Sequence, residues 1–260
     1  MSHPLICAVV ESKTVEKMIE DSKTAFSAGA DMVEIRFDRL WCKEEVTLVE
    51  DEEGNSEKVV EKSELDFAEL DVQKSIEQLK ESISGKVVFT CRPKSEGGYF
   101  TGSEKERYSV IDAAITSEVS YVDLEINLEK KLRKKLMDSA NKNGTKVIAS
   151  YHDSEGTPSS TEIIEFVEKN QEMGDLVKAC YTATCNDDGL QVVDASWELS
   201  EKELNYSLMA TGSSGDWCRI HAPILNQDMV YATLDSDYHL SSRGLVNVGD
   251  LRESWKILEY

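Results

Sequence analysis

The sequence lacks any apolar run long enough to cross a bilayer, and its opening, MSHPLICAVV, has neither the basic region nor the small-residue cleavage site of a secretory leader. Both absences point to a soluble protein of the cytoplasm. The six cysteines, at 7, 42, 91, 180, 185 and 218, form no CxxC pair and have no histidine at ligand spacing, so reduced, mostly buried thiols are expected rather than a zinc site or a disulfide framework. No glycine-rich loop of the dinucleotide or P-loop type follows a candidate strand, which argues against a Rossmann domain. Basic residues are scarce, with 29 Lys and Arg against 50 Asp and Glu and a net charge of -21. That surface repels nucleic-acid backbones and anionic membranes, and neither is expected as a partner. The acidity would suit a salt-loving host, whereas the excess of lysine over arginine argues the other way, so salt preference stays open.

What is present is a rhythm. β-rich runs begin at ICAVV (6–10), DMVEIRF (31–37), KVVFTC (86–91), YVDLEI (121–126), KVIASY (146–151), DLVKAC (175–180), YSLMA (206–210) and MVYATL (229–234). Helical stretches lie between them, such as EKERYSVIDAAITS, LEKKLRKKLMDSANKNG and DASWELSEKELN. Eight strands alternating with helices in 260 residues predict a single-domain (β/α)8 TIM barrel over 1–260. One segment breaks the rhythm: the acidic stretch 43–66, with β-branched runs around EEGN, is expected to be a solvated hairpin or mobile insert.

Barrel chemistry gathers at the C-terminal ends of the strands. Those ends carry Glu34 and Arg36 with Asp38 just beyond, then Arg92, Glu96, Glu125, His152, Lys178 and Met209, with Arg219 in the loop before the last strand. Lys178 lies inside the apolar run LVKAC. Facing inward, a desolvated amine could attack a ketone and form a Schiff base; facing outward, it would be an ordinary ion-paired lysine. His152 closes the preceding strand and titrates in the range that suits proton transfer, so the pair could form a working mechanism. Arg36, Arg92 and Arg219 would bring carboxylate-binding forks to one mouth, which suits a small, hydroxylated anion.

These elements together resemble the type I 3-dehydroquinate dehydratases. The resemblance rests on GADMVEIRFDRL, TCRPKSEGG, VIASYHD, GDLVKACYTATCNDD and VGDLRESWKIL, in this order along nearly the whole chain. It implies dehydration of 3-dehydroquinate to 3-dehydroshikimate with no metal and no organic cofactor, by a homodimer. Lys178 would form the imine, His152 would move the proton and Glu96 would tune it. Glu34, Arg36, Arg92, Arg219 and Met209 would hold the substrate, with Asp38 bracing the arginines. Where the family pattern has a lid of the S-A-P-G-Q type, within about 235–248, this chain reads SSRGL: Gly244 is kept and Leu245 replaces the glutamine. Ser241 and Arg243 are expected to contact substrate from that lid, with Arg243 taking over part of the glutamine's role. Thr211 stands where the family pattern has a second methionine. The alternatives are another Schiff-base enzyme such as an aldolase, or a non-catalytic binder of a shikimate-like ligand.

Overall fold

Each β-rich run folds as a strand because alternate residues can be buried on both of its faces, against the helices outside and against the other strands inside. The computed structural model describes residues 3–50, 56–234 and 244–260; over 44–50 and 56–62 it describes the backbone alone. Eight βα units follow one another: β1 Leu5–Val10 with α1 Val15–Ser27, β2 Met32–Arg36 with α2 Val72–Ser82, β5 Lys86–Thr90 with α3 Glu104–Thr116, and β6 Tyr121–Glu125 with α4 Lys130–Asn143. Then come β7 Lys146–His152 with α5 Ser160–Lys169, β8 Leu176–Ala183 with α6 Asn186–Ser200, β9 Tyr206–Gly212 with α7 Trp217–Ile220, and β10 Met229–Ala232 with α8 Val248–Ile257. All pair in parallel in the order β10, β1, β2, β5, β6, β7, β8, β9, which is the (β/α)8 barrel the sequence predicts. Strand residues divide by parity: Ile6, Ala8, Val33, Ile35 and Phe89 join the cluster under the first helices, whereas Cys7, Met32, Val88, Ile148 and Met229 belong to the second cluster.

The acidic stretch is a hairpin outside the barrel, β3 Cys42–Glu50 antiparallel to β4 Ser56–Glu64, starting one residue earlier than expected. Most of its expected turn, at 51–55, lies outside the described residues. Helix α6 also departs from expectation, since it begins at Asn186 and not at Asp194. The Asp188 carboxylate accepts from the Thr184 and Cys185 backbone N–H groups at 2.7 and 3.2 Å, which caps the helix ahead of its apolar stripe. Gly189 is tolerated within it because any side chain there would meet the Ser214 carbonyl at 2.7 Å. The sequence expectation of a lid to residue 248 overlaps α8 by one residue, as Asn247 caps that helix by accepting from the Asp250 N–H.

The barrel closes between β9 and β10 largely through side chains. Asp228 accepts the Tyr206 N–H at 2.9 Å, Gln227 accepts the Leu208 N–H at 2.9 Å, and the Ser207 hydroxyl donates to the Met229 carbonyl at 2.7 Å. The same device recurs along the bottom rim: Asp31 accepts the Ile6 N–H at 2.8 Å and Asp175 the Val147 N–H at 2.7 Å. An aspartate just before a strand thus satisfies the first free donor of its neighbour. Because this rim is opposite the strand ends that carry the rim charges, Asp175→Ala should lower unfolding free energy by about 1–3 kcal/mol in urea melts. Turnover at 25 °C should be unchanged; a stability within error of wild type would show that the contact contributes nothing.

Candidate active site

Lys178 is placed by β-sheet parity. It pairs in register with Ser150 on β7 and Ser207 on β9, and the apolar residues before and after it turn to the helices. Only 4% exposed, it points into the barrel, so the outward, ion-paired alternative left open by the sequence does not hold. Its Nζ lies 3.5 Å from Glu34 Oε1, 3.7 Å from Asp123 Oδ2 and 3.9 Å from the centre of the Tyr231 ring. Glu34 is fixed in turn by the Thr90 hydroxyl, which donates to Oε1 at 2.8 Å.

Arg92, just past β5, carries the second half of the network. Its guanidinium reaches Asp123 and Glu125, both at 2.9 Å, and donates to the Ser150 hydroxyl at 3.0 Å. Ser150 passes its own proton to Asp123 Oδ1 at 2.6 Å, and Arg107 from α3 holds the far oxygen of Glu125 at 2.9 Å. Burial alone would push Asp123 toward its neutral form, but Arg92 and then Lys178 outweigh it and hold the carboxyl well below the usual range.

His152 sits above Lys178, one strand away. Its Nδ1 is 3.5 Å from Glu96 Oε2; neither atom makes a hydrogen bond, and the Arg92 guanidinium lies 3.8 Å from the same Glu96 oxygen. Burial, followed by the nearby cations Arg92 and Lys178, drives the imidazole pKa well below its ordinary value, so the ring is neutral at pH 7. Burial and the Glu125 charge push Glu96 up to about 7, against the pull of Arg92. Glu96 owes this position to the turn after Pro93: Gly97 adopts φ +75, and at Gly98 a side chain would collide with the Arg92 carbonyl at 2.0 Å. The abrupt change from the apolar strand to RPKSEGG is therefore the bend that returns Glu96 to the histidine.

The other expected residues are arranged around a cavity of about 210 Å³ lined by Glu34, Arg36, Arg92, Glu96, His152, Lys178, Met209 and Arg219. Arg36 is gripped from below by Asp38 through two bonds of 3.0 and 2.9 Å and touches Glu11 at 3.2 Å, which matches the bracing expected of Asp38. Arg219 is on the short helix α7 and not in a loop. Its guanidinium donates to the carbonyls of Tyr231, Ala210, Gly215 and Gly244 at 3.1, 2.5, 2.7 and 2.7 Å, so it clasps the top of the β9–β10 seam. Leu245 lines the cavity, as does Thr211. Ser241 and Arg243 lie outside the described residues.

Reading only strand ends missed what lies one layer below them. Asp123 and Ser150 are each two residues before a rim group, Glu125 and His152, and so share its face. Tyr231 reads as an ordinary strand aromatic, and Arg107 sits on a helix. No group of three or more His, Cys, Asp or Glu side chains among the described residues is arranged to hold a metal ion.

The comparisons with known proteins agree with this geometry. The chain is 29% identical over 257 residues, 98% of its length and 99% of the relative's, to a 3-dehydroquinate dehydratase of Methanocaldococcus jannaschii. It is 25% identical to one of Desulfotalea psychrophila across 95% of both chains. Among solved structures, the type I 3-dehydroquinate dehydratase of Clostridium difficile superposes with a TM-score of 0.81 at 21% identity, covering 99% of this chain and 93% of that one. The enzyme of Geobacillus kaustophilus superposes at 0.79 and 20% identity, covering 99% and 92%. With the family model for type I 3-dehydroquinase matching residues 6–260, the chain belongs to that family.

Proposed function

We propose that this protein dehydrates 3-dehydroquinate to 3-dehydroshikimate, in the shikimate pathway toward aromatic amino acids, through an imine on Lys178. The carrying observation is a buried lysine at the floor of the cavity, one strand from a histidine whose surroundings keep it neutral. The Lys178 amine adds to the C3 ketone, and loss of water leaves an iminium. That cation acidifies C2, and His152 takes the C2 proton as the electron pair enters the enamine. The pair then forms the C1–C2 double bond as the C1 hydroxyl departs as water, carrying the proton back from His152. Water hydrolyses the product iminium and frees the lysine.

Roles for the remaining side chains follow from their surroundings. Glu96 faces Nδ1 of His152 and leaves Nε2 to the substrate. Glu34, Arg36 and Arg92 suit ring hydroxyls, Met209 an apolar wall, and Arg219 the substrate carboxylate while it anchors the segment at Gly244. Ser241 and Arg243 would close the cavity from the 235–248 lid. The family match replaces the aldolase and binder alternatives. The resemblance further suggests a homodimer, and no helix among the described residues is long and apolar enough to cross a membrane.

Borohydride added to protein and 3-dehydroquinate should leave a dehydrated ligand on Lys178 by peptide mass spectrometry, and Lys178→Ala should lose at least about a thousandfold in kcat. An unmodified Lys178 in folded, substrate-exposed protein would overturn the reading. The pH profile has a definite sign. Below about pH 7 the protonated Glu96 donates to Nδ1 and leaves Nε2 carrying its own hydrogen, whereas above it the carboxylate accepts from Nδ1–H and frees Nε2 as a base. Thus kcat/KM should climb through about pH 7. Glu96→Gln should lack that limb and fall roughly tenfold to a hundredfold; an unchanged limb would assign it elsewhere. Arg243→Ala should raise KM several-fold with kcat retained, and unaltered kinetics would remove Arg243 from the lid's function.

A further inference from the structure

Tyr231 on β10 belongs to none of the roles above, although it touches the nucleophile. Its ring centre is 3.9 Å from Lys178 Nζ, within the range where an aromatic face attracts a cation. The residue is only 5% exposed, and its hydroxyl is buried without a hydrogen-bond partner. Both facts are unusual for a tyrosine. A buried phenol ordinarily finds an acceptor, so the position is held by something other than its hydroxyl. The ring lines the same cavity as Lys178, His152 and Glu96. Register explains its aim: Tyr231 pairs with Cys7 of β1, itself fully buried, and both side chains face inward.

We propose that the face of Tyr231 is a catalytic element that stabilises the iminium formed on Lys178, and that its hydroxyl takes no part. The inference rests on the imine reading above. Nζ is held by three groups, two carboxylates and one ring. Glu34 Oε1 also accepts from Thr90, and Asp123 gives its Oδ1 to Arg92 and Ser150 while Oδ2, without a hydrogen bond, faces Nζ. Among the described residues, the Tyr231 side chain makes no hydrogen bond and no other ionic contact. When the ammonium becomes an iminium, the C=N bond leaves a single N–H on the nitrogen and spreads the charge onto the substrate carbon, away from the carboxylates at 3.5 and 3.7 Å. A ring quadrupole needs no hydrogen and attracts the planar cation as well as the ammonium, so its relative contribution rises along the reaction. The transition states on either side of the enamine, C2 deprotonation and C1–O cleavage, are still partly cationic at nitrogen, so relative to the neutral amine and ketone the ring lowers both and the effect falls on kcat. Burial also raises the phenol pKa well above its ordinary value, so Tyr231 remains neutral and leaves the charge balance around Nζ unaltered.

The test separates ring from hydroxyl and both from packing. Tyr231→Phe should retain kcat within about twofold and melt no lower than wild type, because removing an unpartnered buried hydroxyl costs little. Tyr231→Leu should lose roughly tenfold to thirtyfold in kcat with KM changed by less than about threefold. If the leucine variant folds poorly, phenylalanines of increasing fluorination at position 231 keep shape while weakening the face, and log kcat should fall steadily along the series. A flat series, or a loss in Tyr231→Phe as large as that in Tyr231→Leu, would overturn the proposal. Borohydride trapping on wild type runs alongside: no adduct would sink the imine reading itself, whereas a wild-type adduct with an indifferent fluorine series would sink only the role of Tyr231.

Discussion

Six ions buried inside one barrel, with charges that cancel, are the constraint on which the site depends. Lys178, Arg92 and Arg107 face Glu34, Asp123 and Glu125, and all six are at most 4% exposed. Each would be costly to bury alone, and removing any one leaves a neighbour uncompensated. Their positions are therefore mutually enforced: Arg107 orients Glu125, Glu125 and Asp123 orient Arg92, and Asp123 with Glu34 aims Lys178. The strands supply this cheaply because parity sends every second residue inward at fixed spacing, and neighbouring strands are in register. The result is an amine held by packing and charge before any substrate arrives, which is the preorganisation the proposed imine chemistry requires.

The arrangement also reconciles an acidic exterior with an anionic substrate. A net charge of -21 would repel a carboxylate in solution. At the cavity the balance is local, with Arg36 and Arg219 lying around a neutral inner network. Arg36 is held by Asp38, whereas Arg219 is held by backbone carbonyls and, among the described residues, pairs with no carboxylate. Burial, and then the nearby cations Arg92 and Lys178, keep His152 unprotonated, and Glu96 beside it is near its midpoint at neutral pH.

Much of the fold was legible because its signals are periodic. Eight apolar runs alternating with helical stretches gave the barrel, and Lys178 within LVKAC and His152 at the end of VIASY stood out as polar residues in apolar strands. The less legible parts are those where tertiary contact overrides local pattern. Helix α6 starts at Asn186 because the Asp188 cap and the close approach at Gly189 fix it there, although the apolar periodicity suggests a later start. Asp123 sits mid-strand, where a lone acid looks like an exposed edge residue until its partners, Arg92 just past β5 and Lys178 on β8, are known. Tyr231 is invisible for a different reason: an aromatic in a strand is the commonest core residue, and only the distance to Nζ distinguishes it.

The way the ring is closed has a consequence for synthesis. The break in the backbone ladder falls between the consecutive strands β9 and β10, while β1 is zipped directly to β10, Leu5 opposite Met229. During translation β1 therefore waits with one edge unpaired, bound only to β2, until nearly the whole barrel has left the ribosome. The long loop between those partners makes the last pairing slow to find, and the nascent chain carries an open, apolar strand edge through that interval. The side-chain lacing of the β9–β10 seam holds β10 beside β9, across the α7 crossover, where it can then lock β1, so the final strand acts as the clasp of the growing chain.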